Sequence, residues 1–89
     1  MKVYNLTSNS TGREVANQFD IEHNGCRYFQ SYNSIICKID KKGRVTLDRY
    51  YWNYSRTTSK YRNQFLGETT KETQAKINSG EYKLANLNK

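Results

Sequence analysis

The sequence predicts an α+β fold built on a mainly antiparallel sheet, and three observations point to it. Apolar residues alternate in short runs through the first half of the chain. An Asn-Gly pair stands between two of those runs. Beyond Tyr54 the period lengthens and is punctuated by the hydroxyl residues and glycines typical of helix ends. Two or more hairpins followed by two short helices are expected, as a single domain over residues 1–89.

The opening stretch, Met1 to Leu6, turns polar too soon for the apolar segment of a secretory signal. No apolar run approaches the ~20 residues of a membrane span, so no membrane partner is expected. Val15, Phe19 and Ile21 share one parity and lead into Asn24-Gly25. Asn-Gly is the favoured two-residue hairpin turn because both positions must adopt φ > 0. Such a turn pairs His23 with Cys26, Glu22 with Arg27 and Ile21 with Tyr28. Phe19, Ile21, Cys26 and Tyr28 then share one face, and an ion-pair partner meets its opposite on the other.

Gln30 to Ser34 is a polar corner whose side chains suit turn hydrogen bonding. Ile35, Cys37 and Ile39 alternate up to Asp40-Lys41-Lys42-Gly43, a turn sequence, and Val45 and Leu47 resume the alternation. Tyr50, Trp52 and Tyr54 continue on the opposite parity, which calls for a bulge or for a sheet covered on both faces. Thr57, Thr58 or Ser59 is the expected cap of a helix holding Tyr61, Phe65 and Leu66 and stopped by Gly67. A second helix starts at Thr69 or Thr70 and stops at Ser79-Gly80. Tyr82, Leu84 and Leu87 suit a last short strand or a docked tail. Phe19, Ile35, Leu47, Phe65 and Leu66 are the expected core.

Composition narrows function. Mean hydropathy is -1.03, near the polar limit for a folded chain, and the 13% aromatic content is what supplies buried area. His23 is the only histidine and lies beside a turn. No phosphate-binding glycine loop, nucleophile elbow or carboxylate cluster is present, so no enzyme activity is expected. Cys26, Cys37 and His23 lack the paired spacing of zinc sites, and no metal or cofactor is expected. The cysteines are expected as reduced, small apolar side chains.

The formal charge is +7, and it is concentrated. From Lys38 to Arg62 eight basic residues stand against two acidic ones, a local excess of six. Such a field attracts nucleic acid, an acidic protein surface or anionic lipid. The candidate contact residues are Lys41, Lys42, Arg44, Arg49, Trp52, Arg56, Lys60 and Arg62. Arg49, Arg56, Lys60 and Arg62 suit phosphate. Trp52, with one or two of Tyr50, Tyr54 and Tyr61, suits stacking on unpaired bases. The competing role for these rings is the core, which in a chain this short needs large side chains.

The stretches YFQSYNSII (Tyr28–Ile36) and YWNYSRTTSKYRNQFL (Tyr51–Leu66) resemble a family of small uncharacterised proteins of phages and mobile elements of Gram-positive bacteria. The resemblance covers most of the chain after about Val15. It implies a setting in the bacterial cytoplasm and no transferable activity. Small proteins of that setting regulate DNA or RNA transactions, or inhibit host defence in the manner of an anti-CRISPR. The expected function is therefore a non-enzymatic accessory protein that binds nucleic acid or a nucleoprotein complex. The alternative is an inhibitor that docks on an acidic or nucleic-acid-binding host protein.

Overall fold

The computed structural model describes residues 1–89. Six strands, β1 (Lys2–Thr7), β2 (Glu14–His23), β3 (Cys26–Ser31), β4 (Ser34–Ile39), β5 (Val45–Asp48) and β6 (Lys83–Ala85), form one sheet. Two helices, α1 (Arg56–Leu66) and α2 (Thr70–Ser79), lie between β5 and β6. The strand order in space is the order in sequence. The first five strands are antiparallel neighbours, and β6 returns parallel to β5. The fold is α+β, as the sequence predicts.

The β2–β3 hairpin has the expected register: His23 faces Cys26, Glu22 faces Arg27 and Ile21 faces Tyr28. Asn24 and Gly25 both take positive φ, at 53° and 80°. Ile39 faces Val45 across the second expected turn. Here the Asp40 carboxylate accepts the backbone N–H groups of Lys42 and Arg44 at 2.9 Å each. The Arg44 N–H foremost holds the Asp40 carboxyl below its ordinary range.

The register sorts side chains into rows. Tyr4, Asp20, Phe29, Cys37, Leu47 and Leu84 form one row across all six strands, and its inner members face the helices. Val3, Ile21, Tyr28, Lys38, Thr46 and Lys83 form the next row and face away. A bulge between Phe29 and Gln30 leaves Ile36 as an extra residue, fully buried.

The core is Phe29, Ile36, Cys37, Val45 and Leu47 of the sheet, with Tyr61, Phe65 and Tyr82. Phe65 stacks on Phe29 at 5.7 Å between centroids. This corrects part of the expected core. Leu47 and Phe65 are buried, but Leu66 is only half-buried at its edge, and Phe19 and Ile35 stand half-buried on the opposite face. The single crossover from β5 to β6 places both helices on one side of the sheet. Which side it takes follows from the handedness of parallel connections, to which alternation along a strand is blind. Asn17, at φ 66°, also breaks the parity linking Val15 to Phe19. Val15 therefore packs on the core, while Phe19 does not.

Two further expectations fail locally. The helix cap is Ser55, not Thr57, Thr58 or Ser59; its hydroxyl accepts the Thr58 N–H at 3.1 Å. The aromatic stretch after Leu47 is not a strand. The buried Asp48 carboxylate accepts the N–H groups of Tyr50 and Tyr51 at 3.0 and 2.9 Å and turns the chain out of the sheet. The other Asp48 oxygen accepts the Leu87 N–H at 2.8 Å and the Asn88 side-chain amide at 3.0 Å, which docks the tail. Asn88 in turn exchanges two hydrogen bonds with the backbone of Ile35, standing in for a strand where β5 has ended. Strand β1 is an addition, since nothing but weak alternation marks it in the sequence.

Glu68, in the connection between the helices, ties α2 to Tyr82. Thr69 caps α2 in a reciprocal capping box with Glu72. The Glu68 carboxylate accepts from the Lys76 ammonium and the Tyr82 hydroxyl, at 2.8 Å each, and from Thr73. Burial pushes Glu68 upward, but donors from Lys76, Thr73 and Tyr82 outweigh it and hold the carboxyl low. Burial, and then donation to Glu68, pushes the Tyr82 phenol up to about 12.

The signs are opposite for the two groups. The Glu68 contribution is present above the ordinary carboxylate range and is lost as pH falls through the lowered value. The Tyr82 contribution is full below about pH 10, the ordinary phenol value, and is lost as pH rises towards about 12. Tyr82→Phe should cost about 1.5–3 kcal/mol at neutral pH, because it removes a hydrogen bond to a charged group. It should also flatten the alkaline fall in melting temperature. An unchanged alkaline limb in that variant would show that Tyr82 does not set it.

Candidate nucleic-acid interface

The structure divides the eight candidate residues among three places. Lys41, Lys42 and Arg44 lie at the β4–β5 turn, at one end of the sheet. Arg49, Trp52, Arg56 and Lys60 lie beyond the other end of β5. Four residues of strand, roughly 13 Å, separate the groups, so one continuous basic patch does not form along this segment. At the first end, Arg44 is tied to Asp40 at 2.8 Å, and the Lys41 stem lies over Gly25, where a Cβ would stand 2.7 Å from Lys41 Cε.

Arg62 is the third place, and it corrects the sequence reading. It is fully buried in α1 and cannot reach a phosphate. Its guanidinium donates to the Trp52 carbonyl, to Asn53 Oδ1 at 3.1 Å, and to Asn63 Oδ1 and Thr70 Oγ1 at 2.8 Å each. It also stacks 5.1 Å from the centre of the Trp52 ring. Burial lowers its pKa, with Glu68 opposing. The helical spacing explains the position: Thr58, Tyr61, Arg62 and Phe65 recur on the buried stripe of α1. Tyr61 is consumed by the core in the same way, and Trp52 is half-buried against it.

A smaller and sharper site remains. The loop from Arg49 to Ser55 projects Tyr50, Tyr51 and Tyr54, which are 66%, 38% and 48% exposed. Tyr51 and Tyr54 meet edge to face at 5.4 Å, which fixes both rings. Tyr51, absent from the sequence candidates, belongs here because the loop abolishes strand parity. Arg49, Arg56 and Lys60 are exposed and make no ion pair. Arg56 and Lys60 share a helix face at i, i+4. No acidic residue occurs between Arg49 and Lys60, and the first turn of α1 has none. A cation at a helix N-terminus opposes the helix dipole, so Arg56 is not placed there for stability.

His23 is exposed at the hairpin turn, with its ring nitrogen 3.2 Å from the Asn24 amide. Cys37 is buried, and burial pushes its thiol up, away from the reactive thiolate. No helix is long and apolar enough to cross a membrane.

The molecule is thus a small α+β domain with helices on one sheet face, a tyrosine-rich basic corner and an uncovered second face. The chain belongs to a family of unknown function, DUF8033, whose model matches residues 1–81. Neither the curated proteins nor the solved structures contain a match to it.

Proposed function

We propose that the chain is a non-enzymatic accessory protein of a phage or mobile element that binds nucleic acid, free or within a nucleoprotein complex, through the Arg49–Lys60 corner. The observation that carries this reading is the exposure of three tyrosines among three unpaired cations, with no carboxylate between them in the sequence. Cations neutralise phosphates and release counterions, while aromatic faces accept unpaired bases. The bacterial cytoplasm is the compartment this reading implies.

The test is the triple variant Arg49→Gln, Arg56→Gln, Lys60→Gln. Its melting temperature should stay near wild type, because exposed charges contribute little to stability. Its affinity for single-stranded nucleic acid at ~50 mM salt should fall by roughly one to three orders of magnitude, and the salt slope should shrink by about two to three. Titration by fluorescence anisotropy at several salt concentrations measures both. A wild-type protein that binds neither single- nor double-stranded DNA or RNA at that salt would overturn the reading. The same three cations would then be tested against an acidic host protein, as an inhibitor of host defence would use them.

A further inference from the structure

We propose that the sheet face turned away from the helices is a platform on which bases of single-stranded nucleic acid stack, with Tyr28 and Phe19 as the rings and Lys38 and Lys83 as phosphate contacts. This rests on the nucleic-acid reading above but uses a different surface and different residues.

The register places the chemistry. One row on this face runs Val3, Ile21, Tyr28, Lys38, Thr46, Lys83 from β1 to β6. The next runs Asn5, Phe19, Gln30, Ile35. Tyr28 and Phe19 are therefore diagonal neighbours on adjacent strands, within reach of one another. None of Phe19, Ile21, Tyr28 or Ile35 packs on the core, and Val3 is 53% exposed. The apolar half of the face, over β1 to β3, passes into a basic half over β4 to β6. The Lys38 ammonium sits 5.8 Å from the Tyr28 ring centre. Neither Lys38 nor Lys83 has an ion-pair partner.

Charge selects the occupant. The β2 carboxylates Asp20 and Glu22 stand in the rows of Phe29 and Arg27, on the helix side, and Asp48, which shares the parity of Thr46 on β5, is fully buried with its carboxylate taken by the N–H groups of Tyr50, Tyr51, Leu87 and Asn88. Neither of the two outward rows contains an acid. A second copy would bring +7 against +7 and offer those lysines no carboxylate. A single strand of nucleic acid offers flat bases to the rings and phosphates to the lysines. Sheet faces carrying aromatic and basic residues bind single strands in this way.

The experiment compares a fluorescent twelve-nucleotide oligothymidine with an abasic oligonucleotide of equal length, at ~50 mM salt. Wild type should bind the thymidine strand at least about tenfold more tightly, because stacking on a ring contributes a factor of roughly five to a hundred per base. Tyr28→Thr, which keeps a strand-favouring residue, should lose a factor in that range on thymidine and nothing on the abasic strand. Should Tyr28→Thr fail to fold, Phe19→Thr and the pair Lys38→Gln, Lys83→Gln replace it. The first should repeat the base-specific loss, and the second should lower the salt slope by about two.

The corner triple variant, by contrast, should weaken both oligonucleotides alike. Equal wild-type affinity for the two strands overturns the platform, and so does a thymidine preference that both Tyr28→Thr and Phe19→Thr retain; in the second case, with the triple variant still impaired, the corner stands. Binding of neither strand overturns both. A wild-type dimer in sedimentation that Tyr28→Thr dissociates makes the face a self-interface and overturns the proposal.

Discussion

Arg62→Gln is expected to unfold much of the protein and not merely to weaken a surface contact. The guanidinium is fully buried and ties the Trp52 carbonyl, Asn53, Asn63 and Thr70 together. It holds the tyrosine loop, the middle of α1 and the first residue of α2 in one arrangement. Glutamine is shorter and carries two donors on one nitrogen, so it leaves most of these oxygens without partners. Breaking a buried network of this kind costs about 3–5 kcal/mol. The total available to a domain of 89 residues is on the order of 5–10 kcal/mol. A fall in melting temperature of more than about 12 °C follows. Arg56→Gln, one turn and a half away on the exposed side, should stay within about 0.5 kcal/mol of wild type. Calorimetry of the two variants side by side decides the matter. Similar melts for both would mean that Arg62 is not structural.

Phe65→Ala should be comparably severe. The ring stacks on Phe29 at 5.7 Å, and the Arg27 guanidinium covers it at 4.7 Å while paired with Asp20 at 2.7 Å. Phe65 packs α1 onto Phe29 of β3, so its removal opens a cavity between the layers. Truncating a buried aromatic costs about 3–5 kcal/mol, of which the cavity is a substantial part. Little cooperative unfolding signal should remain at room temperature. Phe65→Leu, which retains most of the volume, should lose clearly less. Urea titration followed by circular dichroism distinguishes them, and a wild-type midpoint for Phe65→Ala would separate α1 from the core.

These two residues mark what the sequence discloses and what it withholds. Phe65 is legible because a helix with a recognisable stop at Gly67 and a hydrophobic stripe must bury that stripe. The β2–β3 register is legible to the residue, because a two-residue turn leaves one pairing; Glu22 does face Arg27, but the Arg27 guanidinium pairs diagonally with Asp20 and not with Glu22 as the charge pattern suggests. The helix ends at Gly67, Thr69 and Gly80 follow from local chemistry alone. Arg62 is not legible. Its partners lie 1 to 10 residues away in a loop and a second helix, and a charged side chain carries no mark of burial.

The sidedness of the sheet is withheld for a similar reason. Phe19, Ile21 and Tyr28 share a face, as their spacing says, yet Phe29 and Cys37 share the other. Only the crossover decides which set the helices cover. The site inherits this limit: Arg49, Arg56 and Lys60 lie close together in sequence, while the Tyr28–Lys38–Lys83 row exists only once β6 has returned to β5 in register.

The order of strands in the sheet also governs how the chain reaches this structure. From β1 to β5 each strand finds its partner in its immediate sequence neighbour, so these contacts form by closing short loops, in a regime of microseconds for a hairpin. Short-range contacts of this kind favour rapid folding. The exception is β6, which must return to β5 across the 34 residues between Asp48 and Lys83. Its closure is entropically the most expensive in the molecule. The tyrosine-rich corner, lying inside the long closure, takes its final shape last.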